Sequence, residues 1–227
     1  MYMCAEAIHG TVRAVLLDAL GTLLRLEPPA PRLREALRAR HGIEVSERDA
    51  AGAVREEIAY YRANLHRGRD AAGLAGLRAD CAAMVGRVLG IEEDVEAALL
   101  DAIVFTPYPE VPGVLARWRA AGLRLVVASN WDVSLHEALA RTGLDALVDG
   151  AVSSAEAGSA KPAAAVFEQA LAIAGVPAAA AIHVGDDLAA DVEGARAAGI
   201  RPVLVVREGP APAGVAFVRS LDEVVLA

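Results

Sequence analysis

Residues 14–26 read AVLLDALGTLLRL: four apolar residues, then Asp18, a Gly21-Thr22 turn and a second apolar run. A short, continuously apolar segment is the form taken by a parallel strand buried on both faces. Asp18 then stands at the strand's C-terminal end. Open α/β sheets bind their ligands at that end, which makes Asp18 the first candidate for chemistry.

The same form recurs downstream. LRLVVAS (123–129), ALVDGAV (146–152), AAIHVGD (180–186) and IRPVLVV (200–206) are apolar runs bounded by Gly, Pro, Asp or Asn. Helical patterns lie between them at 112–122, 161–175 and 189–199. Gly122, Gly175 and Gly199 follow these at the position where a left-handed cap ends a helix. The alternation predicts an α/β fold with a doubly wound, mostly parallel, Rossmann-like sheet.

Residues 27–106 read differently. Helices are expected at Arg32–Arg40, Glu47–Tyr61, Ala79–Leu89 and Glu92–Val104, with no strand among them. The proline-rich connections EPPAPR and TPYPEVP bound this stretch stiffly. Two units are therefore expected: a core from 1–26 and 107–227, and an inserted all-helical cap from 27–106.

The chain has 227 residues, 55% of them hydrophobic, enough for a sizeable core. A formal net charge of −8 argues against nucleic acid as a partner, since phosphate backbones require a basic face. Every apolar run falls short of the roughly 20 residues that a spanning helix needs, so no membrane partner is expected. The opening MYMCAEAIHGTV lacks the basic segment and long apolar stretch of a signal peptide. Cys4 and Cys81 are too few for a disulfide framework or a metal cluster. They read as free thiols of a cytoplasmic protein.

Polar groups cluster at the predicted strand ends: Asp18, then Ser129-Asn130, then Lys161 at the head of a helix, then Asp186-Asp187 with Asp191 five residues past Asp186. Singly these are weak signals, because a strand-terminal Asp or Ser also caps helices and a lone lysine is usually a solvated charge. Together, in order and at one edge of a parallel sheet, they describe a site.

The order DALGTL, ASN, KP, GDDLAAD resembles the haloacid dehalogenase superfamily of aspartate-nucleophile hydrolases, over nearly the whole chain, and the helical insertion resembles that family's cap. The resemblance implies that Asp18 attacks the electrophile. Ser129 and Asn130 would bind the phosphoryl group, with Lys161 neutralising charge on it and on Asp18. It implies Mg²⁺ as cofactor, held by Asp18, the main-chain carbonyl of Leu20 and Asp186, hard oxygens for a hard cation. Thr22, Asp187 and Asp191 would support this site from behind, Thr22 by anchoring the loop and Asp191 by orienting Lys161 or the metal shell. The implied partner is a small phosphorylated metabolite.

One position departs from the family's phosphatases. They carry a second Asp two residues after the nucleophile as general acid and base; here it is Leu20. Dehalogenases also lack that Asp, because halide leaves without a proton, and DALGT suits them. They need no metal, however, and have Ser and Asn in place of the GDD cluster, with an Asp three residues after the Asn. They also carry a Tyr where this chain has Phe167. The acidic cluster favours a Mg²⁺-dependent phosphatase-like hydrolase acting on an ester or anhydride with a good leaving group. The alternatives are a 2-haloacid dehalogenase and a catalytically weak member that binds a phospho-ligand or a protein.

Other residues have plainer readings. His183, inside a strand, reads as a satisfied core histidine. Asp132 reads as helix-start polarity that also lies beside Trp131 and the site. Arg55 and Arg62 read as surface charges on a cap helix, and Trp118 as core.

Overall fold

The computed structural model describes residues 11–226. Cys4 and most of the N-terminal stretch read above for a signal peptide lie outside them. The strands are β1 (Ala14–Leu17), β2 (Leu24–Leu26), β3 (Phe105–Pro107), β4 (Arg124–Ser129), β5 (Gly150–Ser153), β6 (Ala181–Gly185), β7 (Arg201–Val205) and β8 (Phe217–Val218). Six of them form one sheet in the order β5-β4-β1-β6-β7-β8, every adjacent pair parallel. The fold is α/β, as the alternation predicted.

Parallel pairing requires helices on both faces, and the strand residues alternate accordingly. Val15, Leu17, Leu125, Val127, Ile182 and Val184 enter one apolar cluster; Ala14, Leu16, Val126, Ala128 and Ala181 enter another. Helices α1 (Pro29–His41), α2 (Glu47–Asn64), α3 (Ala71–Leu89) and α4 (Glu96–Ala102) fill the insertion. The remainder are α5 (Val111–Ala120), α6 (Leu135–Arg141), α7 (Ser154–Ala157), α8 (Ala164–Ala174) and α9 (Gly194–Ala197). Helices α5 and α6 bring Leu115, Trp118 and Leu139 to the first face. Helices α8 and α9 bring Phe167, Ala170 and Ala195 to the second.

The insertion has its own apolar cluster, which includes Leu33, Leu37, Val54, Leu77, Val85 and Leu99. Its helices begin and end where local chemistry directs. Ser46 caps α2 by accepting from the Asp49 amide, and Asp70 caps α3 by accepting from the Gly73 amide at 2.8 Å. Gly42 and Gly90 close α1 and α3 in the left-handed conformation.

Several expectations need correction. Residues 27–106 are not free of strand: β3 begins at Phe105 and pairs antiparallel with β2, Leu26 facing Phe105 and Leu24 facing Pro107. The two chains entering and leaving the insertion meet, and pairing satisfies backbone groups that separate linkers would leave to water. Helix α3 starts at Ala71, not Ala79, because Asp70 supplies the cap, and the last helix of the insertion is only α4, Glu96–Ala102.

ALVDGAV is strand only from Gly150. Asp145–Leu147 is a 3₁₀ turn, and Asp149 accepts from the Leu125 amide at 2.7 Å while pairing with Arg124. The stretch 189–199 opens as a π-helical turn, Leu188–Glu193, before α9. The short edge strand β8 was not anticipated. Among the described residues no helix is long and apolar enough to cross a membrane.

Candidate active site

Register brings the site together. Leu17 of β1 pairs with Val127 of β4 and Val184 of β6, so Asp18, Ser129 and Asp186 all emerge at the same edge of the sheet. The Asp18 amide continues the ladder to the Val184 carbonyl at 2.9 Å, fixing the residue's height. Its carboxylate is buried, and Oδ1 accepts from Ser129 Oγ at 2.9 Å and from Lys161 Nζ at 2.7 Å. Oδ2 accepts no hydrogen bond from the described residues.

Lys161 is 4% exposed and bridges two carboxylates, Asp18 and, at 2.6 Å, Asp191 Oδ1. Burial alone would lower its pKa, but Asp18 and Asp191 more than offset that and raise it, so the ammonium stays charged. Burial works against the Asp191 carboxylate too, yet Lys161 and His183 hold it well below the usual range. Burial pushes His183 down, with Asp191 opposing. The neutral ring therefore donates Nε2–H to Asp191 at 2.8 Å, while Nδ1 has no partner among the described residues. His183 is a core residue, stacked edge-on against Phe167, that also braces Asp191.

Asp186 stands at the mouth of the site. Partial loss of water and the like charges of Asp18 and Asp191 push its carboxyl up to about 7. One oxygen from each of Asp18, Asp186 and Asp191 can be chosen so that all three lie within 4.8 Å of one another. Gly21, at φ +89°, lies so close to Asp186 that a Cβ there would stand 2.1 Å from Oδ2. Glycine is needed both for the turn and for this approach.

The remaining candidates are placed differently. Asn130 spends its amide on the backbone of Lys161, donating to the carbonyl at 3.0 Å and receiving from the amide at 2.7 Å. Lys161 is thereby held in a turn before α8 rather than opening that helix. Asp187 Oδ1 caps the π-helical turn through the amides of Ala189 and Ala190, and its own amide donates to Asp191 Oδ2. The Thr22 hydroxyl is buried without a partner among the described residues, while its carbonyl accepts from Arg207 at 2.5 Å.

Arg207 also pairs with Glu110 and lies 4.0 Å over the Tyr108 ring, tying the first loop to the exit of the insertion. No sequence signal marked that role. Leu20 is 36% exposed and faces a cavity beneath the insertion. Asp132 accepts from the Ser134 amide at 2.7 Å, as helix-start polarity requires, and lines that cavity; Arg62 lines it as well, and Arg55 does not.

Removing the lysine strands two buried carboxylates. Lys161→Met is expected to destabilise the protein by about 3–5 kcal/mol near neutral pH, read by urea unfolding. The deficit should shrink as pH falls toward 4. In the parent the lowered pKa of Asp191 contributes stability above pH 4 that is lost in acid, whereas in the variant acid neutralises the stranded charges. A deficit below 1 kcal/mol, or one independent of pH, contradicts this account.

Comparison with known proteins follows the geometry. A sequence model of haloacid dehalogenase-like hydrolases matches residues 12–199. The chain is 28% identical over 209 residues to haloacid dehalogenase-like hydrolase domain-containing protein 3 of Homo sapiens, covering 86% of this chain and 82% of that protein. Its match to the Xenopus laevis protein of that name spans only 36% of the relative's length. It is 38% identical over 125 residues to a phosphoserine phosphatase of Thermus thermophilus, covering 53% of this chain and 50% of that protein. Among solved structures, the L-2-haloacid dehalogenase of Xanthobacter autotrophicus superposes with a TM-score of 0.62 at 26% identity, over 87% of this chain and 79% of that one.

Proposed function

This chain belongs to the haloacid dehalogenase-like hydrolases, and on that premise we propose that it is a Mg²⁺-dependent phosphohydrolase with Asp18 as nucleophile. The observation that carries the reading is the carboxylate cluster of Asp18, Asp186 and Asp191, gathered within 4.8 Å around a single lysine. Such a surplus of negative charge disfavours a haloacid's carboxylate and suits a cation. The similarity to a named phosphatase points the same way.

The residues fit Mg²⁺. Asp18 and Asp186 supply hard oxygens, and the Leu20 carbonyl lies on the loop that Gly21 packs against Asp186. Asp191 is the poorer direct ligand, since Lys161, His183 and the Asp187 amide already occupy its oxygens. When bound, the cation offsets the charge of the phosphoryl oxygens as the anionic nucleophile approaches.

The chain's own residues do the rest. Ser129 and Lys161 hold Asp18 Oδ1, which aims the carboxylate whose oxygen forms the new O–P bond. The ester P–O bond breaks and its electron pair leaves on the departing oxygen. Lys161, kept charged by Asp191 and braced through His183, follows the charge as it shifts from Asp18 to the phosphoryl oxygens. Water then hydrolyses the aspartyl phosphate and restores Asp18. Residues 27–106 act as a cap over this edge of the sheet, joined to it by the Gly68 carbonyl accepting from the Val133 amide and by the Arg78–Glu137 pair.

The test is phosphate release from acyl and aryl phosphates with Mg²⁺, run beside halide release from chloroacids with EDTA. Phosphate release that EDTA abolishes supports the proposal. Halide release in EDTA would transfer the chain to the dehalogenases, and neither activity, with retained ligand binding, to the weak binders. Calorimetry supplies a second reading. With Asp186 at about 7, protons compete with the cation, so Mg²⁺ affinity should fall about tenfold per unit below pH 7 and level off above it. An affinity flat from pH 6 to 8 removes Asp186 from the metal site.

A further inference from the structure

Beneath the insertion lies a cavity of about 410 Å³, which meets the site at Leu20 and Asn130 and is walled by the rings of Tyr61, Phe105 and Trp131. Its volume is that of a small-molecule pocket. Phe105 and Trp131 pack with centroids 4.8 Å apart, presenting a firm aromatic corner.

Most polar groups on the wall are already committed. Arg78 and Arg141 both bind Glu137, Asn130 holds Lys161, and the Ser134 hydroxyl receives the Trp131 indole N–H. A polyhydroxylated body would leave most of its donors and acceptors unpaired there, at a cost of about 1–3 kcal/mol each.

Apart from the exposed Arg62, the exception is Glu57. It projects from α2 into the cavity, is 7% exposed, and forms no ion pair among the described residues. The Cys81 thiol lines the cavity with it. Asp132, also buried and without a cationic partner among the described residues, lines the cavity with Tyr61, and both carboxylates act on that phenol. The cavity thus combines aromatic walls with two buried carboxylates, Glu57 and Asp132, that form no ion pair with its arginines among the described residues.

We infer that this cavity receives the leaving-group half of the substrate, an aryl body carrying a basic nitrogen, with its ring against Phe105 and Trp131 and its ammonium on Glu57. The inference rests on the phosphohydrolase reading. A charge-assisted hydrogen bond replaces the missing counter-ion of Glu57. At the inner end the wall is Leu20, and an aryl oxide, a stable anion, departs past it without a proton.

The test compares 4-(aminomethyl)phenyl phosphate with 4-methylphenyl phosphate, which differ only in the nitrogen. The parent should favour the amine by roughly 10- to 100-fold in kcat/KM, mostly through KM. In Glu57→Gln that ratio should collapse toward unity. A parent ratio near unity overturns the inference. So does a Glu57→Gln variant that slows both esters alike, the result of a purely structural role. If the parent releases phosphate from neither ester nor from acetyl phosphate, the phosphohydrolase reading has failed, and calorimetry with benzylamine decides the cavity separately. Binding that weakens at least tenfold in Glu57→Gln upholds the cavity's preference; absence of binding refutes it.

Discussion

Asp18→Asn is expected to lower phosphate release by roughly 10⁴-fold or more while the protein still folds, since losing one member of a catalytic unit costs on that scale. The asparagine Oδ1 can still accept from Ser129 and Lys161, which now meet Asp18 Oδ1 at 2.9 and 2.7 Å. Lys161 keeps Asp191 as its counter-charge. What disappears is the anionic oxygen that forms the bond to phosphorus. The measurements are steady-state phosphate release, acid-quench trapping of a phosphorylated protein, and a thermal melt. No trapped phosphoprotein and a melting temperature within a few degrees of the parent are expected. A variant keeping a tenth of its activity would take Asp18 out of the mechanism.

The second large effect is a gain. Position 20 lies two residues beyond the nucleophile, is partly exposed, and faces the cavity where the leaving group sits. With leucine there, a departing alkoxide finds no acid. In the parent, kcat/KM should therefore rise steeply as leaving-group pKa falls, and simple sugar phosphates should be poor substrates. Leu20→Asp supplies a carboxyl group and should restore part of the roughly 10²–10⁴-fold general-acid contribution on alkyl phosphates. Aryl phosphates should respond far less, because their leaving group is already stable. The loop is anchored elsewhere, through the Gly21 amide to the Leu24 carbonyl and through Arg207 to the Thr22 carbonyl, so the substitution is expected to leave its path unchanged. A leaving-group series measured on both proteins checks this. A flat series in the parent means another residue donates the proton, and Asp132 and Glu57, both lining the cavity, are the first to test.

How much of this was legible beforehand follows from what a chain pattern can encode. The apolar runs that became β1, β4 and β6 announced themselves because a strand buried on both faces has few polar residues to spare. Asp18, Ser129 and Asp186 were legible for the opposite reason: each is a polar residue at or just beyond the end of such a run, and Lys161 and Asp191 were legible from their order after them. His183 was visible as a polar intruder within a strand, which marked it as satisfied core without revealing that its partner is Asp191.

What the sequence determined by itself, then, is periodicity and sequence order: strands, helices, left-handed caps at glycine, and the edge at which the polar residues gather. The tertiary structure decided everything that depends on a partner distant along the chain. The β2–β3 ladder exists only because the insertion returns residue 105 to residue 26. Asn130 holds the backbone amide and carbonyl of Lys161, which only the folded chain brings near it. Glu57 looks on paper like any glutamate on a helix. Only packing α2 against the neighbouring helix α3 and beside the cavity turns it into a buried carboxylate, because burial and pairing are properties of the assembled surfaces and not of the local run of residues.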